Sequence, residues 1–324
     1  MAERVYVSRP LPAPATEPLV AAGLVVDQQG EDRPATREEL LEGSAGASGV
    51  LSMLTDRIDG ELLDTAPRLR VVANLAVGFD NMDVPAATER GVVLTNTPGV
   101  LTDATADLAF TLLLAAARRV GEGERLVRSG SWTVWGPTQL LGRAVAGTTL
   151  GIVGMGAIGS AVAERARGFG MSVVYFNRRR APEAEQRTGA RYVPFDELLA
   201  TSDFVSLHAP LNDDSRHLLD AAALARMKST AVLVNTARGP LVDEAALVAA
   251  LRSGTIAAAG LDVYEAEPVL APGLTELDNV VLLPHIGSAT TATRAAMVEL
   301  ACANIVAVLR GDPPPTPLNP EVLT

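Results

Sequence analysis

The sequence predicts an α/β fold of two lobes, each a parallel sheet flanked by helices. Three observations lead there. Short β-branched runs alternate with helical segments along almost the whole chain, the pattern that builds parallel sheets. A length of 324 residues suits two lobes of ordinary size. A glycine-rich stretch, Gly154-x-Gly156-x-x-Gly159, follows one apolar run and opens a helical segment.

In the first lobe, strands are expected at Arg4 to Ser8, Gly49 to Leu54, Leu69 to Leu75 and Val92 to Asn96. The segment TDATADLAFTLLLAAARRV, Thr102 to Val120, opens with capping residues and is apolar on more than one face. It predicts one long buried helix, suited to joining lobes or subunits. Six further strand candidates follow, in LGIVG, SVVYF, DFVSLH, AVLVNT, AAAGLDV and VVLLPH, enough for a complete doubly wound unit. Both lobes are thus Rossmann-like. The last helical segment, TTATRAAMVELACANIVAVLR, has no strand after it in the second sheet and is expected to cross back over the first lobe. The first lobe is then discontinuous, 1–100 with 286–324, around a second lobe of 101–285. The proline-rich stretches RPLPAPATEP and GDPPPTPLNP read as surface loop and tail.

Hydrophobic residues make up 48% and charged residues 20%, the composition of a folded soluble protein. A formal net charge of -11 argues against general affinity for nucleic acid or anionic membrane. No window approaches about eighteen uninterrupted apolar residues, and MAERVYVSRP lacks a long apolar signal core, so a cytoplasmic location is expected. The one cysteine, Cys302, allows neither an internal disulfide nor a zinc cluster and reads as a small buried hydrophobe. His208, His217 and His285 lack metal-ligand spacing, and no metal is expected.

In a strand–turn–helix context each glycine has a physical task. Gly154 permits the tight turn, Gly156 lets backbone approach a pyrophosphate, and Gly159 allows close helix packing. The pyrophosphate then meets the free N–H groups at the helix start, at Ala157 and Ile158. An acidic residue roughly twenty positions on usually holds the ribose hydroxyls of NAD. Here the second strand ends in Asn177, Arg178, Arg179 and Arg180. Guanidinium forks match phosphate oxygens in charge and geometry, which predicts preference for NADP, with NAD still possible. Arg178 is the favoured phosphate ligand and Arg179 the next.

Three later motifs sit just past strand candidates, where α/β sheets bind ligands: NTARG at Asn235 to Gly239, GLDVYEAEP at Gly260 to Pro268, and LPHIGSAT at Leu283 to Thr290. Their arginine, glutamate and histidine suit reduction of a 2-oxo acid. Arg238 pairs with the carboxylate and polarises the carbonyl. His285, whose type has a reference pKa of about 6.5, delivers the proton. Glu267 orients His285 and favours its charged form.

These motifs, with NLAVGFDNMDV, PGVLTDATADLAF, GIVGMGAIG and DFVSLHAPL, strongly resemble the D-isomer-specific 2-hydroxyacid dehydrogenase family from about Val50 to Arg310. The resemblance implies that Arg238, Glu267 and His285 are catalytic. It implies that the backbone of Val77 and Gly78 cradles the substrate carboxylate, with Ser288 also at the substrate. It places Thr102, Pro210, Thr236, Asp262 and Gly287 along the cofactor, and makes the discontinuous lobe the substrate domain and the inserted lobe the dinucleotide-binding domain. Within the family the likeness is greatest to glyoxylate/hydroxypyruvate reductases, in which a tryptophan matching Trp135 enters the neighbouring subunit's active site. That implies a homodimer. Packing of Trp132 and Trp135 between the lobes is the alternative reading. A phosphoglycerate dehydrogenase and a dinucleotide-sensing corepressor are the rival functions. His208 is expected to line the cofactor cleft by its backbone alone, His217 to lie on the surface, and Asp80 and Asp83 to belong to a turn with helix capping.

Overall fold

The structure, a computed structural model, describes residues 3–323. The chain forms two compact units, Met1–Leu101 with Ala289–Thr324, and Thr102–Ser288. In the first, strands β1 (Arg4–Val7), β2 (Val25–Gln28), β3 (Gly49–Ser52), β4 (Val71–Asn74) and β5 (Val93–Thr95) form a parallel sheet in the order β2-β1-β3-β4-β5. The fold class is α/β, with a parallel sheet in each unit. Strand β2 is not among the sequence expectations. As an edge strand with a partly exposed face it carries VVDQ rather than a continuous apolar run.

The two proline-rich stretches behave differently from their composition. RPLPAPATEP contributes to a helix, Ala13–Ala21, with Pro in its first turn and Pro18 inside it. A first-turn proline lacks only an N–H that a helix leaves unpaired. Burial of Leu19 and packing on the helix Thr291–Arg310 support the rest. GDPPPTPLNP is docked along β5 rather than forming a tail. Leu318 N–H donates to Leu94 O (2.8 Å). Asn319 Oδ1 accepts from Leu94 N–H (2.8 Å), and its Nδ2 donates to Val92 O (2.9 Å), so the open edge of the sheet is covered.

Helix Thr291–Arg310 is long and apolar enough to cross a membrane, but it lies against β3, β4 and β5 of its own unit. Cys302 is buried on it, and burial pushes the thiol up to about 11. Asn304, also fully buried, donates from Nδ2 to Thr316 Oγ1 (2.8 Å) and accepts Thr316 N–H (3.0 Å). This pairing ties the helix to the segment that covers β5.

In the second unit β6 (Thr149–Val153), β7 (Ser172–Phe176), β8 (Arg191–Tyr192), β9 (Phe204–Leu207), β10 (Val232–Asn235), β11 (Ala258–Leu261) and β12 (Val280–Leu282) form a parallel sheet in the order β12-β11-β10-β9-β6-β7-β8. The chain reverses direction across the sheet between β6 and β9, the crevice where such sheets bind ligands. Strand β8, a two-residue edge piece, is additional to the six expected. The single helix expected over 102–120 ends at Ala117; Arg119 is left-handed (φ 55°) and a second helix runs Val120–Arg128. Gly142 comes against the first helix end, where a Cβ would lie 2.5 Å from Ala117 O, and Arg143 N–H caps that carbonyl (2.7 Å). Residues 286–288 stay with this unit, because Ile286 and Gly287 N–H groups donate to Asp262.

Replacing Asn304 with alanine leaves the part-buried N–H of Thr316 without this acceptor and is expected to cost about 1–2 kcal/mol. Urea titration followed by circular dichroism reads it; a midpoint within error of the parent excludes this role for the side chain.

Candidate functional site

The turn after β6 explains its glycines by contact. Gly154 has φ 101°, and a Cβ there would lie 2.5 Å from both His208 C and Ala209 N. A Cβ on Gly159 would lie 2.1 Å from Gly154 O, so helix Ala157–Gly168 sits directly on the turn. Around Gly156 the space is open. Gly156 is also the N-cap and provides no side chain, so the first N–H groups, at Ala157 and Ile158, are uncapped by it.

Asn177, immediately after β7, accepts Met155 N–H at Oδ1 (2.7 Å) and so fixes the glycine turn from the side. The three arginines that follow differ in their surroundings. Arg180 pairs with Glu185 (2.7 Å), itself hydrogen-bonded by Tyr175 OH (2.6 Å), and is part of the local scaffold. Arg178 makes one long, exposed pair with Asp214 (3.4 Å), and Arg179 is exposed.

Loops after β10, β11 and β12 bring Arg238, Glu267 and His285 into one unit. His285 Nδ1 lies 2.8 Å from Glu267 Oε2, and Glu267 Oε1 accepts Tyr264 N–H (2.9 Å). Burial opposes ionisation of Glu267, but the hydrogen bond and charge of His285, the Tyr264 N–H and the charge of Arg238 outweigh it. They hold the carboxyl below its ordinary range. Both side chains stay partly open to solvent, 28% for His285 and 30% for Glu267. His285 has a left-handed backbone (φ 55°), a conformation that histidine adopts more readily than most residues.

Asp262, expected along the cofactor, and two residues the sequence did not single out, Asn235 and Tyr264, hold these loops. Asn235 Nδ2 donates to Arg238 O (2.8 Å) and its Oδ1 accepts Ala237 N–H (3.0 Å). Tyr264 OH donates to Leu283 O (2.8 Å), joining the β11 loop to the β12 loop; burial and the charge of Asp262 push this phenol up to about 12. Asp262 uses both oxygens on the histidine loop, accepting Ile286 N–H and Gly287 N–H at 2.7 Å each. Burial raises its pKa despite these donors. Asn235, Gly239 and Tyr264 lie inside the motifs that carry Arg238 and Glu267, and that proximity was their only sequence signal.

Other residues singled out in the sequence fall as follows. Thr236 is buried, and its Oγ1 has no hydrogen-bond partner among the described residues. Thr102 is half-buried at the start of helix Thr102–Ala117, Ser288 is half-buried after the histidine loop, and Pro210 O accepts from Ser215 Oγ (2.8 Å). His208 bonds Ser206 Oγ (2.8 Å), and burial pushes its imidazole down to about 4, so it is neutral at working pH. His217 lies at the surface, its side chain 39% exposed, and is paired there: its Nε2 lies 2.6 Å from Glu265 Oε1. In the first unit Val77 O accepts from Asn96 Nδ2 (2.7 Å) and Gly78 O from Asn74 Nδ2 (3.0 Å), which sets the orientation of that turn. Asp83 caps the helix Val84–Glu89 through Ala86 N–H (2.9 Å). Trp132 and Trp135 are 51% and 73% exposed.

A dinucleotide fits the second unit on its own evidence: open space at Gly156, an uncapped helix start, and the orphaned hydroxyl of Thr236. Such a site at the ends of a doubly wound sheet defines a dinucleotide-binding protein. The chain belongs to the D-isomer specific 2-hydroxyacid dehydrogenases, whose NAD binding domain matches residues 110–287, and it is an NAD(P)-dependent dehydrogenase or reductase. A glyoxylate reductase of Thermococcus litoralis is 47% identical over 100% of this chain and 99% of its own length. A solved structure from Thermus thermophilus is 48% identical with a TM-score of 0.91, covering 97% of this chain and 99% of that one. An NADPH-dependent glyoxylate/hydroxypyruvate reductase from Sinorhizobium meliloti, solved with NADP and malonate, is 33% identical with a TM-score of 0.84, covering 98% and 97%.

Thr236→Val removes a buried hydroxyl that has no hydrogen-bond partner among the described residues. Thermal stability should stay within about 0.5 kcal/mol of the parent, while dinucleotide affinity falls about tenfold. Fluorescence titration with NADPH and NADH measures the second; unchanged affinity for both would remove Thr236 from the cofactor site.

Proposed function

We propose that this enzyme reduces small 2-oxo acids, glyoxylate and hydroxypyruvate, to 2-hydroxy acids, with NADPH the preferred reductant. The observation that carries this reading is the 2.8 Å contact between His285 Nδ1 and Glu267 Oε2 on a loop adjoining Arg238. With Nδ1 engaged, Nε2 is the ring atom that gives its proton to the carbonyl oxygen. Arg238 binds the carboxylate and draws electron density from the carbonyl. Glu267, ionised at neutral pH, steadies the charged imidazole before the proton leaves. A bound nicotinamide supplies the hydride. In the first unit, the Val77 and Gly78 N–H groups serve as carboxylate donors, their carbonyls being occupied by Asn96 and Asn74.

The NADPH preference rests on Asn177, which places no carboxylate where a 2′-phosphate binds, and on Arg178 and Arg179 beside it. The relatives described as glyoxylate reductases, and the NADPH-dependent one above, support the same reading. Exposed Val120, Val127, Trp132, Val134, Trp135 and Leu141 fit a homodimer in which Trp135 contributes to the partner's active site. Its other partners are the small acids themselves; the net charge of -11 suits a cytoplasmic enzyme that binds neither nucleic acid nor membrane.

Arg178→Ala should raise KM for NADPH about tenfold or more and leave that for NADH nearly unchanged. Initial rates with both cofactors across glyoxylate, hydroxypyruvate, pyruvate and 3-phosphohydroxypyruvate decide it; equal losses, or an NADH preference in the parent, overturn the phosphate assignment.

His285→Ala should lower kcat by about 10²- to 10⁴-fold with NADPH binding intact. In Glu267→Gln the charged imidazole loses its carboxylate, so the fall-off in reduction rate should move to lower pH. The depressed pKa of Glu267 fixes the sign: the carboxylate partner is present throughout neutral pH and is lost only in acid. Rate–pH profiles at saturating substrate test this, and an identical profile in the glutamine variant refutes the coupling.

A further inference from the structure

Beside the catalytic histidine and glutamate lies a second pair that the mechanism above does not use. His217 precedes helix Ala221–Arg226 and, like His285, is left-handed (φ 50°). Its backbone N–H donates to Pro240 O (2.8 Å), two residues beyond Arg238. Next to it, Leu219 N–H donates to Leu241 O (3.0 Å) and Leu219 O accepts Asp243 N–H (3.1 Å), so this segment runs alongside the arginine loop. Its ring reaches the other way, Nε2 lying 2.6 Å from Oε1 of Glu265, two residues before Glu267.

Glu265 is itself locked. Its Oε2 accepts Glu244 N–H (3.0 Å), while Glu244 Oε1 accepts Glu265 N–H (2.7 Å) and Glu244 Oε2 accepts Ala271 N–H (3.3 Å). Glu244 is buried, and burial, then the charges of Glu265 and Glu267, raise its pKa. The result is a closed circuit: arginine loop, His217, Glu265, Glu244, and back through helix Glu244–Ser253, which follows the arginine loop directly.

We propose that His217 is a positioning residue, which through Glu265 on one side and Pro240 on the other sets the spacing of Arg238 from the Glu267–His285 pair. It touches neither substrate nor cofactor. The inference rests on the catalytic reading above and deepens it, because misplacement of a catalytic group by about 1 Å can cost a hundredfold in rate.

Two substitutions separate this role from a backbone one. Asn at 217 tolerates the left-handed conformation but is too short to reach Glu265; Gln carries its amide nitrogen as many bonds from Cβ as the Nε2 of histidine. With glyoxylate and NADPH, His217→Asn should lower kcat and raise the glyoxylate KM, reducing kcat/KM about tenfold or more, with NADPH Kd within about twofold of the parent. His217→Gln should recover most of that loss. NADPH fluorescence titration on the same samples counts folded sites, so a loss of protein is not read as a loss of catalysis. Parental kinetics in His217→Asn, or a Gln variant worse than the Asn variant, overturns the proposal by assigning His217 to backbone conformation alone. If the parent itself fails to reduce glyoxylate, the proposed function falls instead.

Discussion

A Cβ on Gly239 would lie 1.9 Å from Tyr264 C and 2.4 Å from Glu265 N. No other residue type fits there without moving backbone, and the site depends on that approach. Because Gly239 follows Arg238 directly, the arginine loop is pressed against the loop that carries Glu267. Tyr264 then reaches the histidine loop through Leu283 O, and Asp262 takes two of that loop's N–H groups. Arg238, Glu267 and His285 come from three different strand ends, and these contacts join their loops to one another. Their arrangement is set during folding, and little reorganisation is left for the reaction.

The acids around these loops show how surroundings divide labour among chemically similar groups. Asp262 is buried with both oxygens committed to backbone N–H groups, and burial dominates. Glu244 is buried among like charges, with the same upward result. Glu267 has one oxygen on Tyr264 N–H and the other on His285, and its carboxyl is held below the ordinary range. Among these three, only Glu267 combines ready ionisation with contact to a titratable partner. At the far end of the same sheet edge the balance reverses locally, with Arg178 and Arg179 exposed on a chain of net charge -11. On the reading proposed above, such a local basic spot would draw a phosphate without making the whole surface attractive to polyanions.

Much of this was legible in the sequence where meaning is local. Gly154 and Gly159 are needed by a turn and a helix within six residues of each other, so their spacing announces the contact. The fully buried strands β3, β4, β9 and β10 stand out as apolar runs. What was not legible depends on distant partners. Strand β2 buries too little to show a pattern, and Pro18 sits in a helix because Leu19 and a helix nearly three hundred residues later hold it there. GDPPPTPLNP reads as a tail until Asn319 is seen bonded to Leu94 and Val92. The pairing of surface residue His217 is hidden because its partner, Glu265, is 48 positions away. The break at Arg119 is a left-handed residue within an otherwise helical composition, where propensity gives no warning.

The chain order of the two units bears on how the protein is made. Residues 1–101 leave the ribosome without helix Thr291–Arg310, which will cover β3, β4 and β5, and without Asn319, which will seal β5. The whole of residues 102–288 is synthesised in between. At about 5–20 residues per second, that leaves the first sheet uncovered for roughly ten to forty seconds. The inserted unit is contiguous and can close its core as it emerges, whereas the earlier one has to wait, its apolar face open to chaperones. The half of the molecule translated first is thus the half that matures last.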